Sequence, residues 1–348
     1  MKSNPLKHLF ALGVFASLLA PASLEAAEFT DRIRTAGGSE AGEITATSPR
    51  EITVDKGSAG SIKIPVNTVR SVILDDEPPE LTQARLNAKN GGYATAIERL
   101  EQIDRPRLKR ELVKEDVDFY LAYCAAQQAL GGKGEITDAG RKLNDFVRRH
   151  PQSFHYLEAV ETMGDLLMAS DKFPAAQRQY AELAKAPWPD YKMRAGVLLG
   201  RTLQAQGKHQ EAIVQFDEVL ASPEDGAAAK EQKLSATLAK AVSLAEAKQL
   251  DEAVGLIEQM IVDTDPEQKE LQARAYNALG ESYQRAGRTK DALLAYLHVD
   301  VLYNTVPDAH AEALSHLAPL WDEVGQTERG RQARQTLQEQ YRDSRWAK

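Results

Sequence analysis

The chain has 348 residues, with 43 Lys and Arg against 51 Asp and Glu, a formal charge of −8, 43% hydrophobic and 6% aromatic residues, and one cysteine. This apolar content excludes a disordered or collagen-like chain, and the acidic balance argues against a surface that tracks nucleic-acid phosphates. The length allows two or three compact domains, or one elongated repeat array with an appendage.

Lys2 and Lys7 precede an apolar run over residues 9–20, which Pro21 breaks before the small-residue stretch 22–27. The run has 12 residues, against about 20 for a membrane-crossing helix. The pattern predicts a secretory signal peptide over 1–27, cut after Ala26 or Ala27, with Ala20-Pro21-Ala22 as a second option. Loss of Lys2, Lys7 and Glu25 leaves a mature charge of −8 − 1 = −9. No cysteine stands directly after the run, so the lipobox of exported lipoproteins is absent, and the expectation is a soluble exported product, periplasmic or secreted, without a transmembrane anchor. Cys124, the single cysteine, allows no intramolecular disulfide. It sits in an apolar helical pattern over 119–126 that predicts a buried small hydrophobe.

Residues 29–74 carry short alternating apolar runs separated by Gly, Ser, Pro and Asp, which predicts strands at 31–35, 42–47, 51–55, 61–65 and 68–74. Gly37-Gly38, Ser48-Pro49 and the segment 57–60 mark the turns. Ile44, Ile52, Val54, Ile62, Ile64, Val69 and Val72 are the expected interior, and Gly42 the expected bend. With the runs Asp31-Arg32-Ile33-Arg34, Ala41-Gly42-Glu43-Ile44 and 64–72, the segment 28–75 resembles small barrels of the SH3-like or Sm-like kind. It is small enough to need support from its neighbour.

After the linker 76–79, where Asp75-Asp76-Glu77 reads as a solvated acidic run, the apolar period becomes helical. Small residues recur at Ala96, Ala139, Ala176, Ala212, Ala253, Ala292 and Gly330, 36 to 43 residues apart, which marks a repeat array. The clearest unit reads Tyr276-x-x-Leu279-Gly280-x-x-Tyr283, then Gly287, Ala292, Tyr296 and Val299. Others read Leu199-Gly200-x-x-Leu203 with Gly207, Ala212, Phe216 and Val219, and Met163-Gly164-x-x-Leu167 with Ala176, Tyr180 and Leu183. Ala241, Leu244, Ala253, Ile257 and Met260 make a fourth, and Leu317-Ala318-x-x-Trp321 with Gly325, Gly330 and Leu337 a terminal one.

On these residues the segment 80–341 resembles the tetratricopeptide repeat family, whose 34-residue unit is an antiparallel helix pair. Two units depart from it: Gln83 and Asn87 replace large apolar residues in the first, and Gly131-Gly132-Lys133-Gly134 is inserted in the second. The predicted class is therefore mostly α, a solenoid of about seven helical hairpins preceded by the small all-β barrel-like domain and followed by a tail, 342–348. Small residues let helices approach, and each pair is stabilised by its neighbours. The resemblance implies a curved superhelix with the first helix of each pair on the concave face.

Motifs for catalysis are missing. There is no G-x-S-x-G, Walker A, H-E-x-x-H or D-x-D-x-D-G sequence. The 131–134 segment lacks a preceding strand and reads as a helix-to-helix loop. His150 with His155, and His310 with His316, lack the i, i+4 spacing of a helical metal site, so no cofactor or metal is expected. Register places Glu158, Glu161, Asp165 and Met168 in the groove that the resemblance implies, then Arg194, Val197, Arg201 and Gln204, then Arg274, Asn277, Glu281, Gln284 and Arg285. The candidate partner-binding residues are Arg194, Arg201, Gln204, Arg274, Asn277, Glu281 and Arg285. The Lys and Asn set with which some family members hold a peptide carboxylate is approached only by Arg274 and Asn277. The expected function is a non-catalytic scaffold in the cell envelope that binds a protein or peptide, and not nucleic acid. One alternative is a cell-wall or assembly scaffold that binds polymer or itself; another is an enzyme with its site where barrel meets solenoid.

Overall fold

A computed structural model describes residues 29–342 and 344–347; the expected signal peptide lies outside the described residues. Five short strands come first: β1 (Asp31–Thr35), β2 (Gly38–Thr47), β3 (Glu51–Asp55), β4 (Ser61–Pro65) and β5 (Val69–Ile73). Neighbours pair antiparallel in the order β4-β3-β2-β1-β5, so β4 and β5 are the two edges. β2 starts four residues before the expected 42–47, because Thr35 pairs with Gly38 across a two-residue turn and the ladder runs on from there. A single turn of 3-10 helix, Val66–Thr68, delays β5 by one residue. Of the expected interior, Ile44, Ile52, Val54, Ile64 and Val72 are buried, joined by Ile33 and Leu74, while Ile62 and Val69 pack at the margin. At Gly42 a Cβ would press on the Asp55 carbonyl and lie 2.8 Å from Val54 Cγ1. The close crossing of β2 over β3 therefore needs the missing side chain.

Fourteen helices follow as seven antiparallel pairs: α1 (Pro79–Lys89) with α2 (Tyr93–Glu101), α3 (Glu111–Leu130) with α4 (Ile136–Arg149), α5 (Tyr156–Met168) with α6 (Phe173–Leu183), and α7 (Pro189–Ala205) with α8 (His209–Leu220). Then come α9 (Ala227–Glu246) with α10 (Leu250–Asp263), α11 (Lys269–Arg285) with α12 (Thr289–Leu302), and α13 (Pro307–Glu323) with α14 (Thr327–Gln340). Proline opens α1, α7 and α13, where its missing N–H costs nothing and its fixed φ suits the first turn.

One turn closes every pair. A residue with positive φ ends the first helix at Gly91, Gly132, Asp171, Gly207, Lys248, Gly287 and Gly325. The next N–H donates to the carbonyl five residues back, as in Lys208 to Leu203 (3.0 Å), Gln249 to Leu244 (2.8 Å) and Arg288 to Tyr283 (2.8 Å). This is a Schellman-type stop, which satisfies carbonyls that the helix end would leave open.

All seven recurring small residues are buried. The helical glycines play a different part from the expected spacing of one pair against the next. Gly164, Gly200 and Gly280, on first helices, each receive the ring of Tyr180, Phe216 or Tyr296 from the second helix of the same pair. These aromatics are 2% exposed or less, so glycine seats a ring within the hairpin.

Sheet and solenoid share one apolar core, which runs from Ile33 and Val54 through Leu81, Ala96 and Val117 to Phe154. Buried ion pairs stitch the junction. Asp31 in β1 is fully buried and takes two bonds from Arg110, at 2.6 and 2.8 Å, plus the backbone N–H groups of Ile44 and Asp75 at 2.8 Å each. Burial raises the Asp31 pKa, but Arg110 and these N–H groups outweigh it and hold the carboxyl below its ordinary range.

The acidic run 75–77 is solvated only in part. Asp75 and Asp76 are exposed, whereas the Glu77 carboxylate is 5% exposed, pairs with Arg85 at 2.6 Å and accepts the Leu74 N–H at 2.8 Å. Arg85, in the second turn of α1, also binds Asp116, and Asp116 meets His155 Nε2 at 2.7 Å. Cys124 is buried, as expected, and burial pushes its thiol up to about 12.

Candidate partner-binding cleft

First helices α7, α9, α11 and α13 bring residues from four consecutive pairs to one open cleft of about 680 Å³. Arg201 and Gln204 come from α7, Leu238 and Val242 from α9, Arg274, Asn277 and Glu281 from α11, and Glu312 from α13. The repeat places them together because the same helix face recurs every 35 to 40 residues.

Five of the seven candidate residues therefore meet: Arg201, Gln204, Arg274, Asn277 and Glu281. Arg194 instead lines a neighbouring hollow of about 250 Å³ with Glu158, Glu161, Asp165 and Tyr191. Arg285 does not line the cleft; it pairs with Glu246 and, at 3.2 Å, with Glu281. Val197, placed in the groove by register, is buried in the apolar core beside Phe216 and Ala236. Gln284 is taken up within the array by accepting from His316 at 3.1 Å.

Arg201 is solvent-facing, and among the described residues its side chain has no hydrogen bond or ion pair. Partial burial and the positive charges of Arg274 and Arg345 lower its pKa from the ordinary value. Arg274 is held by Glu231 at 2.6 Å and Ser235 Oγ at 3.1 Å. Asn277 is 3% exposed; its Nδ2 donates to the Ala309 carbonyl at 2.9 Å and to Glu312 at 3.0 Å, while its shielded Oδ1 has no donor among the described residues. Burial raises the Glu312 pKa, against the pull of Asn277 and Arg345.

The cleft thus offers a free guanidinium and an apolar floor of Leu238 and Val242. Its lining residues include no Ser, Cys, His or Lys; the ionisable ones are Arg201, Arg274, Arg345, Glu270, Glu281, Glu312 and Asp308. No group of three or more His, Cys, Asp or Glu that could hold a metal occurs among the described residues.

In the neighbouring hollow, burial raises the Glu161 carboxyl to about 7 even with Arg194 at 2.6 Å. Asp165 there accepts the Tyr180 hydroxyl at 2.7 Å.

Glu312 and Arg345 are among the cleft residues that escaped the sequence reading. Glu312 lies 35 residues after Asn277, one repeat on, and the same register finds it. Arg345 sits in a 3-10 turn, Arg345–Ala347, that packs on α13 with Trp346 at 6.1 Å from His316, ring to ring. No periodic signal foretells that return.

Residues 162–225 and 197–269 match the family model described as tetratricopeptide repeat. This part of the array carries tetratricopeptide repeats. Among solved structures, a tetratricopeptide repeat protein from Parabacteroides merdae ATCC 43184 aligns over 75% of this chain and 92% of its own, at 14% identity and a TM-score of 0.50. PilW, titled a widely conserved type IV pilus biogenesis factor, aligns over 67% and 96% at 15% identity, with a TM-score of 0.42. The likeness to the Parabacteroides merdae protein is one of fold alone. Among curated proteins no relative matches the chain. No helix among the described residues is long and apolar enough to cross a membrane.

Proposed function

We propose that the chain is a non-catalytic interaction scaffold of the cell envelope, exported to the periplasm or the medium, which holds a peptide segment of a partner protein in the cleft of the first helices. The observation that carries this reading is the unpaired Arg201 in a cleft that four consecutive helix pairs line, beside the apolar Leu238 and Val242. A carboxylate on a bound peptide would meet the free guanidinium of Arg201, and apolar peptide side chains would cover Leu238 and Val242. The pattern of residues 1–27 supports export. Five short antiparallel strands, with the last returning beside the first, support reading the N-terminal sheet as an SH3-like or Sm-like element that caps the array.

Capture from crosslinked envelope extract tests the proposal, with recovered proteins identified by mass spectrometry. Arg201→Glu and Arg274→Glu are expected to reduce recovery of the specific partner, because each reverses a charge at the cleft. Equal recovery by both variants and the parent chain would remove the cleft from the function.

A further inference from the structure

A second cleft, of about 540 Å³, runs between strand β5 and helices α1, α2 and α3. Four consecutive β5 residues, 70–73, line it. Successive side chains of a strand point to opposite faces, so a cavity touched by all four follows the strand's edge. β5 is a sheet edge, paired only with β1 among the described residues. Its outward N–H and C=O groups have no ladder partner, which makes the edge a template for another strand.

The two edges are treated differently. β4 carries Lys63, paired with Glu51, and ends in Pro65, which has no N–H to donate. β5 has no proline, and its Ile73 is 38% exposed, facing an apolar wall of Leu86, Tyr93 and Tyr123. Leu86 is 61% exposed, a large apolar side chain left open beside an open edge.

Charge selects the occupant. Arg70 and Lys89 line the cleft without an ion pair or side-chain hydrogen bond among the described residues. Arg85 is already neutralised by Glu77 and Asp116, and the one carboxylate that lines the cleft away from these, Glu158, faces His155 at 3.7 Å. The unmatched charge at the cleft is positive.

We propose that this cleft receives an extended segment of another protein as a sixth strand beside β5, with apolar side chains at alternate positions against Leu86 and the tyrosines and an acidic side chain at Arg70 and Lys89. Main-chain bonds to the edge supply affinity, and the alternate pockets supply selectivity. This site stands apart from the cleft of Arg201 and Asn277, and neither reading needs the other.

Selection of a phage-displayed random dodecamer library on the full chain tests the proposal, with affinities of the selected peptides measured by fluorescence polarisation. Expected peptides alternate apolar residues and carry Asp or Glu. Leu86→Asp and, separately, Arg70→Glu or Lys89→Glu weaken them about tenfold. N-methylation of alternate peptide amides abolishes binding on one registry of positions, the signature of a ladder. Circular dichroism confirms folding of the variants, and Lys89→Glu, a surface charge change, serves if Leu86→Asp fails to fold. Patternless or basic peptides, full binding after N-methylation at every position, insensitivity to Leu86→Asp and Lys89→Glu, or no selected peptide would each overturn it. So would self-association of the chain that Leu86→Asp abolishes, because the occupant would then be a second copy.

Discussion

Replacing Gly280 by alanine tests how the helix pairs are packed. A Cβ there would stand 2.7 Å from Tyr296 Cζ and 2.8 and 2.9 Å from the two neighbouring ring carbons, where ordinary contact begins near 3.4 Å. The ring must retreat by about 0.7 Å. Tyr296 is 1% exposed and lies flat against His316, ring centroids 4.7 Å apart, so it has nowhere to go. Overpacking of this kind costs about 1–3 kcal/mol, and the better helix propensity of alanine returns about 1. Gly280→Ala is therefore expected to destabilise by about 1 kcal/mol. In a Tyr296→Leu background the ring is gone, and the same change is expected to stabilise by about 1 kcal/mol, a coupling of about 2 kcal/mol. Urea unfolding followed by circular dichroism, with amide exchange in α11 to localise the effect along the array, measures the four proteins. An equal gain from Gly280→Ala in both backgrounds would refute the packing argument.

Asp31→Asn leaves Arg110 charged and 91% covered, at a cost of about 3–5 kcal/mol; the urea midpoint checks it. Because the folded Asp31 pKa is depressed, its contribution is complete above the unfolded value near 4 and fades as pH falls below it, so the variant should lose that part of the acid dependence. Lys248 holds a φ of 63° at a turn where five of the seven pairs use glycine. Lys248→Gly should stabilise by about 1 kcal/mol in thermal unfolding, and Asp171→Gly by less, since aspartate tolerates that conformation better. Glu161 should titrate near 7 in carbon-13 carboxyl spectra, and Arg194→Met should raise that midpoint by removing the nearby cation.

The repeat was legible because its signal is local: small residues at fixed intervals, rings at the complementary positions and a turn residue before each second helix. Strand positions were legible for the same reason, and β2 was longer than expected only because hairpin pairing, which depends on two strands at once, carried it back to Gly38. Glu77 was misread because its capture depends on Arg85, whose own position is set by Asp116 thirty-one residues further on. His155 and His310 likewise find acid partners, Asp116 and Asp300, across packed elements rather than along one helix. Register brought five candidate side chains to one cleft, yet could not show that Arg285 is neutralised or that Val197 turns into the core. Those outcomes depend on neighbouring helices.

The most direct measurement is a map of photo-crosslinks formed in cells that make the full chain with benzoylphenylalanine at single positions. Gln204 and Glu281 report on the first-helix cleft, while Val214 and Val262, exposed on the second helices α8 and α10, report on the other face. Adducts to one partner at Gln204 and Glu281, lost when Arg201→Glu is added, are expected. Adducts confined to Val214 and Val262 would contradict the account.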